Sequence, residues 1–217
     1  MASAFVFEPP ARAVVSVAGG GVFPVRRIFC VGKNYPDHVR EMGDDPKSSP
    51  PVFFAKPADA VVASGAVIPY PPATKNLHYE GELVVALGGG ARIFGYAAGC
   101  DLTRRDLQAA AKNAGGPWDS AKAFDRSAPI GEIARGAALD PATRLSLAVN
   151  GKTHQDAALS EMIWSTPEII EALSAQFELA AGDLIFTGTP SGVGPLTRGD
   201  KVEVRIGALP ALSFSIA

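Results

Sequence analysis

The sequence has little cysteine, no strong net charge and no long apolar run. Only two cysteines occur among 217 residues. Cys30 and Cys100 lack the close spacing of a zinc or redox motif. Both lie in apolar stretches, so we expect buried free thiols in a reducing compartment. A disulfide framework is therefore not expected.

The net charge and the absence of targeting segments exclude several partners. The formal charge of −2 at pH 7 gives no electrostatic footprint for nucleic acid. No apolar stretch is long enough to span a bilayer, and the N-terminus lacks the basic and apolar segments of a secretory signal. We therefore expect a cytoplasmic protein with no nucleic-acid partner and no membrane partner.

Glycine and proline are frequent, with 23 and 18 residues. This frequency of turn-forming residues favours many short strands over long helices. The best amphipathic helix covers residues 166–179, with Thr166 as its cap and Pro167 at its first position. Residues 1–24 contain two short apolar runs around a glycine turn and predict a small hairpin-like extension. Residues 25–217 are expected to form one domain.

The stretch from residue 79 to residue 88 carries the clearest chemical signal. Its apolar run predicts a buried strand. Glu80 and Glu82 at its head would share one face, because side chains alternate along a strand. Asp101 follows a second apolar stretch, which we expect to lie beside the first. A solvated strand edge is the alternative for Glu80 and Glu82, but three converging acids predict Mg²⁺, with Mn²⁺ or Ca²⁺ as alternatives, and argue against zinc.

Two further positions depend on neighbouring residues. His38 and Glu41 are three residues apart in a short predicted helix, so the carboxylate could orient the imidazole as a general base. A surface ion pair is the alternative.

Lys56 ends a short apolar strand before a proline, where its side chain could face the site. A lysine that extends along the surface to solvent is the expected arrangement there.

Three residues after Asp101 could face the same cation or its ligand. Arg105 and Gln108 are three residues apart in a predicted helix and would share one face; a solvated helix surface is the alternative. Lys122 lies among small and aromatic residues, which is unusual for a solvated lysine. It is therefore a candidate for binding an anionic oxygen.

Seven segments in the same order resemble the fumarylacetoacetate hydrolase family over about residues 25–216. They are CVGKNYPDHVREMG, FFAKPADA, HYEGELVVALG, GCDLTRRDLQ, GPWDSAKAFD, VNGKTHQDAALSEMIWS and GDLIFTGTPSGVG. The resemblance implies an α+β, β-rich fold, a mixed β-roll with short helices like the C-terminal domain of that family. It also implies a homodimer.

The same resemblance implies roles for nine residues. They are Glu80, Glu82 and Asp101 as metal ligands, His38, Glu41 and Lys122 as catalytic groups, and Arg105, Gln108 and Thr189 as substrate contacts. Lys33 stands where many relatives carry arginine, and lysine lacks the bidentate fork of arginine.

These expectations predict a metal-dependent enzyme that hydrolyses a carbon–carbon bond in a 2,4-diketo acid. The segment GPWDSAKAFDRSAPIG resembles family members that act on fumarylpyruvate, which would give fumarate and pyruvate. Decarboxylation or keto–enol tautomerisation of oxaloacetate is the first alternative. A non-catalytic interaction module with an enclosed structural ion is the second.

Overall fold

The computed structural model describes residues 5–41 and 50–217. These residues form short strands with a few short helices, and the predicted β-rich α+β fold is confirmed. The strands are β1 Val14–Ser16, β2 Val22–Pro24, β3 Arg27–Gly32, β4 Val52–Lys56, β5 Val61–Ala63, β6 Ala66–Ile68, β7 Leu77–Tyr79, β8 Gly81–Leu87, β9 Ile93–Cys100, β10 Thr103–Arg104, β11 Ala128–Ile130, β12 Ala134–Arg135, β13 Arg144–Val149, β14 Lys152–Ala158, β15 Asp183–Phe186, β16 Gly194–Leu196, β17 Lys201–Ile206 and β18 Leu212–Ile216. The α-helices are α1 Pro36–Glu41, α2 Arg105–Ala114, α3 Asp119–Lys122 and α4 Thr166–Ser174.

The largest sheet has eight strands and is mixed. Its order is β4-β3-β15-β8-β9-β11-β5, with β12 paired to β9. Strand β15 runs parallel to β3 and antiparallel to β8. A five-stranded sheet has the order β14-β13-β17-β18-β6, a three-stranded sheet has the order β10-β7-β16, and β1 pairs with β2. Short strands in several sheets follow from the frequent glycines and prolines.

Strand β8 crosses the core, and its alternation positions the acids. All seven of its residues are buried. Val84 packs in the cluster that includes the β1–β2 hairpin, whereas Val85 packs in the cluster that includes α4. Because successive side chains point to opposite faces, Glu82 shares the face of Val84. Glu80, immediately before the strand, continues that face.

Strand β9 lies beside β8, as the sequence predicted, and runs antiparallel to it. The register pairs Gly81 with Cys100, and the Asp101 amide donates to the Glu80 carbonyl oxygen at 2.8 Å. The end of β9 therefore brings Asp101 next to the start of β8. Cys30 and Cys100 are both buried and unpaired, as expected.

Two predicted boundaries can be compared with the structure. Helix α4 begins at Thr166 but ends at Ser174, five residues before the predicted end. Its N-cap is Ser165 and not Thr166, because the Ser165 hydroxyl and amide donate to Glu168 Oε2 at 2.6 and 2.8 Å.

Among the described residues, no helix combines the length and the apolar character needed to cross a membrane.

Candidate active site

The two strand ends bring three carboxylates together. One oxygen from each of Glu80, Glu82 and Asp101 lies within 4.8 Å of the other two. We call these three residues the acid triad. Their exposed fractions are 5%, 2% and 1%, so the alternative of a solvated strand edge is wrong. Buried like charges at this spacing require nearby positive charge.

Part of that charge comes from Lys122, at the end of α3. Its Nζ donates three hydrogen bonds within the protein. The acceptors are Glu80 Oε2 at 2.7 Å, Asp101 Oδ2 at 2.6 Å and Thr103 Oγ1 at 2.6 Å. An ammonium has three N–H donors, so all those of Lys122 are engaged. Arg105, the first residue of α2, donates to Glu80 Oε1.

Lys56 is a second buried lysine, and the expectation that it reaches solvent is wrong. Its side chain is 0% exposed, and its Nζ lies 2.8 Å from Asp101 Oδ1. It also donates to the main-chain oxygens of Leu102 and Lys122. The sequence signal was weak: an apolar run leads to Lys56, and strand alternation gives it the face of Phe54, which lines the cleft beside the triad.

The surrounding charges move the pKa values of the two glutamates in opposite directions. Burial raises the pKa of Glu80, but the Lys122 ammonium and the Arg105 guanidinium outweigh burial and hold it well below its ordinary value. Burial, reinforced by the Asp101 and Glu80 carboxylates, raises the pKa of Glu82 well above its ordinary value. Of the two glutamates, Glu82 is therefore the one with less compensating positive charge, although the Gly188 amide donates to its Oε2 at 2.7 Å.

The acid triad fits a divalent cation. Among the described residues Asp101 Oδ1 is buried and accepts no hydrogen bond, although Lys56 Nζ lies 2.8 Å away. Glu82 carries little compensating charge. Three carboxylates with an unbonded oxygen form the donor set that a hard divalent cation prefers.

His38 faces the same cleft from α1. It is 7% exposed and lines the cleft together with the acid triad. Helix α1 begins at Pro36, the position that the sequence predicted, and its last residue is Glu41. The side chain of Glu41 lies outside the described part of the chain, so the predicted His38–Glu41 dyad stays a prediction.

Arg105 and Gln108 lie on one face of α2, as predicted, and both line the cleft. Arg105 Nη1 donates to Gln108 Oε1 at 2.5 Å. His78 accepts from Arg105 Nε at 3.5 Å. Burial and the positive charge of Arg105 lower the pKa of His78 to about 4, so this imidazole is neutral near pH 7. The network fixes the guanidinium beside Glu80.

Thr189 reaches the cleft from the loop after β15. Its hydroxyl donates to the Gly81 carbonyl oxygen at 2.9 Å and accepts from Gln155 Nε2 at 2.8 Å. The single hydroxyl proton is therefore used within the protein. A hydrogen bond donated by Thr189 to a substrate would have to come from its main-chain amide.

The cleft as a whole favours an anion. Its charged lining comprises four cations and the acid triad, with His38 beside them. The cations are Lys33, Arg105, Lys112 and Lys122. Phe54 and Trp118 supply an apolar wall. Because the acid triad opens into this cleft, the alternative of an enclosed structural ion has no support.

A mixed, β-rich fold that holds a buried acid triad beside a cationic cleft is the arrangement expected of an enzyme that binds a divalent metal ion and an anionic substrate. The family model described as "Fumarylacetoacetate (FAA) hydrolase C-terminal" matches residues 27–217. The chain therefore belongs to the fumarylacetoacetate hydrolase family, as the sequence resemblance implied.

Relatives within the family carry different activities. A fumarylpyruvate hydrolase of Ralstonia sp is 42% identical over 76% of this chain and 91% of its own length. The human mitochondrial oxaloacetate tautomerase is 40% identical over 88% of this chain and 91% of its own. A crystal structure of fumarylpyruvate hydrolase from Pseudomonas aeruginosa in complex with Mn²⁺ and pyruvate superimposes on this chain with a TM-score of 0.96. The two sequences are 44% identical, and the match covers 99% of each chain.

Proposed function

We propose that this protein hydrolyses a carbon–carbon bond in an acylpyruvate, a 2,4-diketo acid, with fumarylpyruvate as the leading substrate. The observation that carries the proposal is the opening of the acid triad into a cationic cleft beside His38. Fumarylpyruvate is a dianion, which suits such a cleft. The similarity to the Pseudomonas aeruginosa enzyme supports this choice.

Glu80, Glu82 and Asp101 would hold a divalent cation. The Mn²⁺ complex of the similar Pseudomonas aeruginosa protein supports a divalent metal, and Mg²⁺ is our choice for the native ion because the ligands are all carboxylates. When bound, the cation would supply positive charge that stabilises oxygen anions of the 2-oxo acid.

His38 would act as the general base. Its imidazole takes a proton from a water molecule while the water oxygen forms a bond to the 4-carbonyl carbon. The bond between C4 and C3 then breaks as the C4 carbonyl re-forms, and the electron pair leaves with the pyruvate portion. This portion takes up the proton held by His38 to become pyruvate. The attacked carbon becomes a carboxylic acid, which loses the second proton of the water to solvent to give fumarate. Glu41 would orient the imidazole.

Four residues would position the dianion. Arg105 and Gln108 contact it from α2, and the Thr189 loop contacts it through main-chain N–H groups. Lys122 would exchange one of its protein acceptors for an oxyanion or the distal carboxylate. A homodimer in the cytoplasm stays our prediction for the assembly and its location.

Oxaloacetate keto–enol tautomerisation is the second candidate function. The observation that favours it is the 40% identity to the human oxaloacetate tautomerase across 88% of this chain. Tautomerisation needs no attacking water but uses the same positive charge and the same proton acceptor. Oxaloacetate decarboxylation on this site is a variant of the same alternative.

One assay separates these functions. Purified protein with Mg²⁺ or Mn²⁺ is given fumarylpyruvate, acetylpyruvate and oxaloacetate in parallel. Loss of diketo-acid absorbance with formation of pyruvate is expected for fumarylpyruvate and is expected to stop on chelation. If the protein accelerates the enol–keto conversion of oxaloacetate but forms no pyruvate from fumarylpyruvate or acetylpyruvate, the proposal of hydrolysis is wrong and tautomerisation is the function.

A further inference from the structure

We infer that Gln155 is a positioning residue that fixes the distance between the acid triad and the Thr189 loop. This inference rests on the proposed divalent-metal site and adds a residue that lies outside the nine implied by the family resemblance. Gln155 is 0% exposed. It belongs to β14, in the five-stranded sheet, whereas the acid triad is carried by the largest sheet.

The side-chain amide of Gln155 joins two segments of the site. Its Oε1 accepts from the Gly81 amide at 2.9 Å. Its Nε2 donates to Thr189 Oγ1 and to the Pro190 carbonyl oxygen, both at 2.8 Å. Gly81 stands between Glu80 and Glu82 in the sequence. The amide thus holds the backbone between two of the three proposed metal ligands.

The direction of this hydrogen-bond chain follows from its partners. The Gly81 amide can only donate and the Pro190 carbonyl can only accept, so the two ends of the Gln155 amide cannot be exchanged. The Thr189 hydroxyl must then accept from Gln155 and donate to the Gly81 carbonyl. Gly81 is held at both its N–H and its C=O.

The backbone around Gln155 is shaped to make these contacts. The pairing of β13 with β14 shifts register between Leu147 and Ala148, which leaves His154 as an extra residue immediately before Gln155. Such a bulge redirects the following side chain. Gly192, at a φ of 92°, packs so closely that a Cβ atom would lie 2.1 Å from the His154 oxygen. The Thr189 loop is thereby pressed against the bulge.

Gly81 packs closely against β13 and β14, with no space for a side chain. A Cβ atom there would lie 3.1 Å from Leu147 Cδ1 and 3.2 Å from Gln155 Oε1. The glycine lets β14 approach closely enough for the amide to reach the backbone. Loss of the amide would leave the Gly81 N–H unbonded and free the ends of Glu80 and Glu82 to move.

The test measures the affinity for Mn²⁺ alone, so it does not depend on activity. Gln155→Met keeps the side-chain length and removes the amide, and Gln176→Met makes the same change at an exposed glutamine. Outer residues that orient metal ligands change affinity by about 10–100-fold. We therefore expect the Mn²⁺ dissociation constant of Gln155→Met to rise by at least about tenfold and that of Gln176→Met to stay near the wild-type value.

A purely structural role would lower the melting temperature of Gln155→Met and leave the Mn²⁺ affinity of the folded protein unchanged, and that result would overturn the inference. If Gln155→Met does not fold, Thr189→Val and Thr189→Ser carry the test. Valine removes the bond to the Gly81 carbonyl and serine keeps it, so only valine should weaken Mn²⁺ binding; equal affinities would refute the role. Wild-type protein that binds no Mn²⁺ would overturn the proposed function as well.

Discussion

Two clusters of buried charge in this molecule are built in different ways. Asp183, at the start of β15, is 0% exposed and faces two arginines that are partly in solvent. Its oxygens accept from Arg26 Nη1 at 3.0 and 3.1 Å, and from Arg27 Nη2 at 3.1 Å. The Ala180 amide donates to it at 2.9 Å. The acid triad instead places three carboxylates together, and within the described part of the chain one of their oxygens accepts no hydrogen bond.

The difference separates a structural use of charge from a functional one. Asp183 has more positive than negative charge around it and every oxygen is bonded, so nothing further is needed at that strand end. The acid triad is paired with Lys56, Lys122 and Arg105, yet burial and the neighbouring carboxylates still raise the pKa of Glu82. We take carboxylates crowded against one another with incomplete hydrogen bonding, and not burial alone, as the mark of a binding site.

The largest expected effect is on catalysis at the acid-triad end. Replacing His38 by alanine removes the proposed general base, which is typically worth about 10²–10⁴-fold. We expect turnover of fumarylpyruvate to fall by that factor while Mn²⁺ affinity is kept, as measured by steady-state kinetics and calorimetric titration. Gln176→Ala, at an exposed glutamine, is the control. Near-normal turnover of His38→Ala would exclude this imidazole as the base.

The second-largest expected effect is the stabilisation of the folded protein by Mn²⁺, which should depend on the acid triad and not on the Asp183 cluster. A ligand at about 100 times its dissociation constant stabilises the folded state by about 2.7 kcal/mol. We expect Mn²⁺ at that excess to raise the unfolding free energy by this amount, and chelation to reverse it. Asp101→Asn should abolish the gain, and Asp183→Asn should keep it. A gain that survives in Asp101→Asn would mean that the ion binds elsewhere.

The sequence predicted the functional cluster because its geometry is local. Strand alternation relates Glu80 to Glu82, and one antiparallel neighbour brings in Asp101. Lys56 was misjudged because its burial is coupled to Asp101, which lies far along the chain, just after the end of β9. The general tendency of lysine side chains to reach solvent does not reveal whether a particular lysine is buried against a carboxylate.

Gln155 shows a second limit of the sequence. The His154 bulge breaks the period of two before Gln155, although Gln155 and Ala157 still share the buried face. Alternation therefore relates Gln155 to the core but does not show that its amide bonds to Gly81 and Thr189, which lie on distant segments. The end of α4 was missed because apolar residues at helical spacing continue past Ser174, although the structure ends the helix there. For Lys56 and Gln155, contacts with segments distant in the chain decided the outcome.

A moderate effect is expected at the structural cluster. Asp183→Asn replaces an acceptor oxygen by an NH₂ group that faces N–H donors, and an unsatisfied buried group costs about 1–3 kcal/mol. We expect a loss near the lower end, because the side chains of Arg26 and Arg27 are 42% and 36% exposed and can turn to water. Urea unfolding measures the loss. A change in Mn²⁺ affinity in this variant would contradict the separation of the two clusters.

The smallest effect concerns Asp200, a carboxylate held only by neutral donors, which shows what hydrogen bonds alone contribute. Thr197 N and Oγ1 donate to Oδ2 at 2.7 and 3.0 Å, and Asn150 Nδ2 donates to Oδ1 at 2.8 Å. Burial raises the pKa of Asp200, but these bonds outweigh burial and lower it. A lowered pKa means stability that is present above the unfolded-state value and is lost as the pH falls through the folded-state value.

We therefore expect Asp200→Asn to cost about 0.5–1.5 kcal/mol at pH 7, and the difference from wild type to shrink as the pH falls below about 4. Urea unfolding at a series of pH values measures it, with Asp125→Asn at an exposed position as the control. A difference that stays constant down to pH 3 would show that the ionised form is not what these donors stabilise. Neutral hydrogen bonds would then account for Asp200, in contrast to the ion pairs of the acid triad and of Asp183.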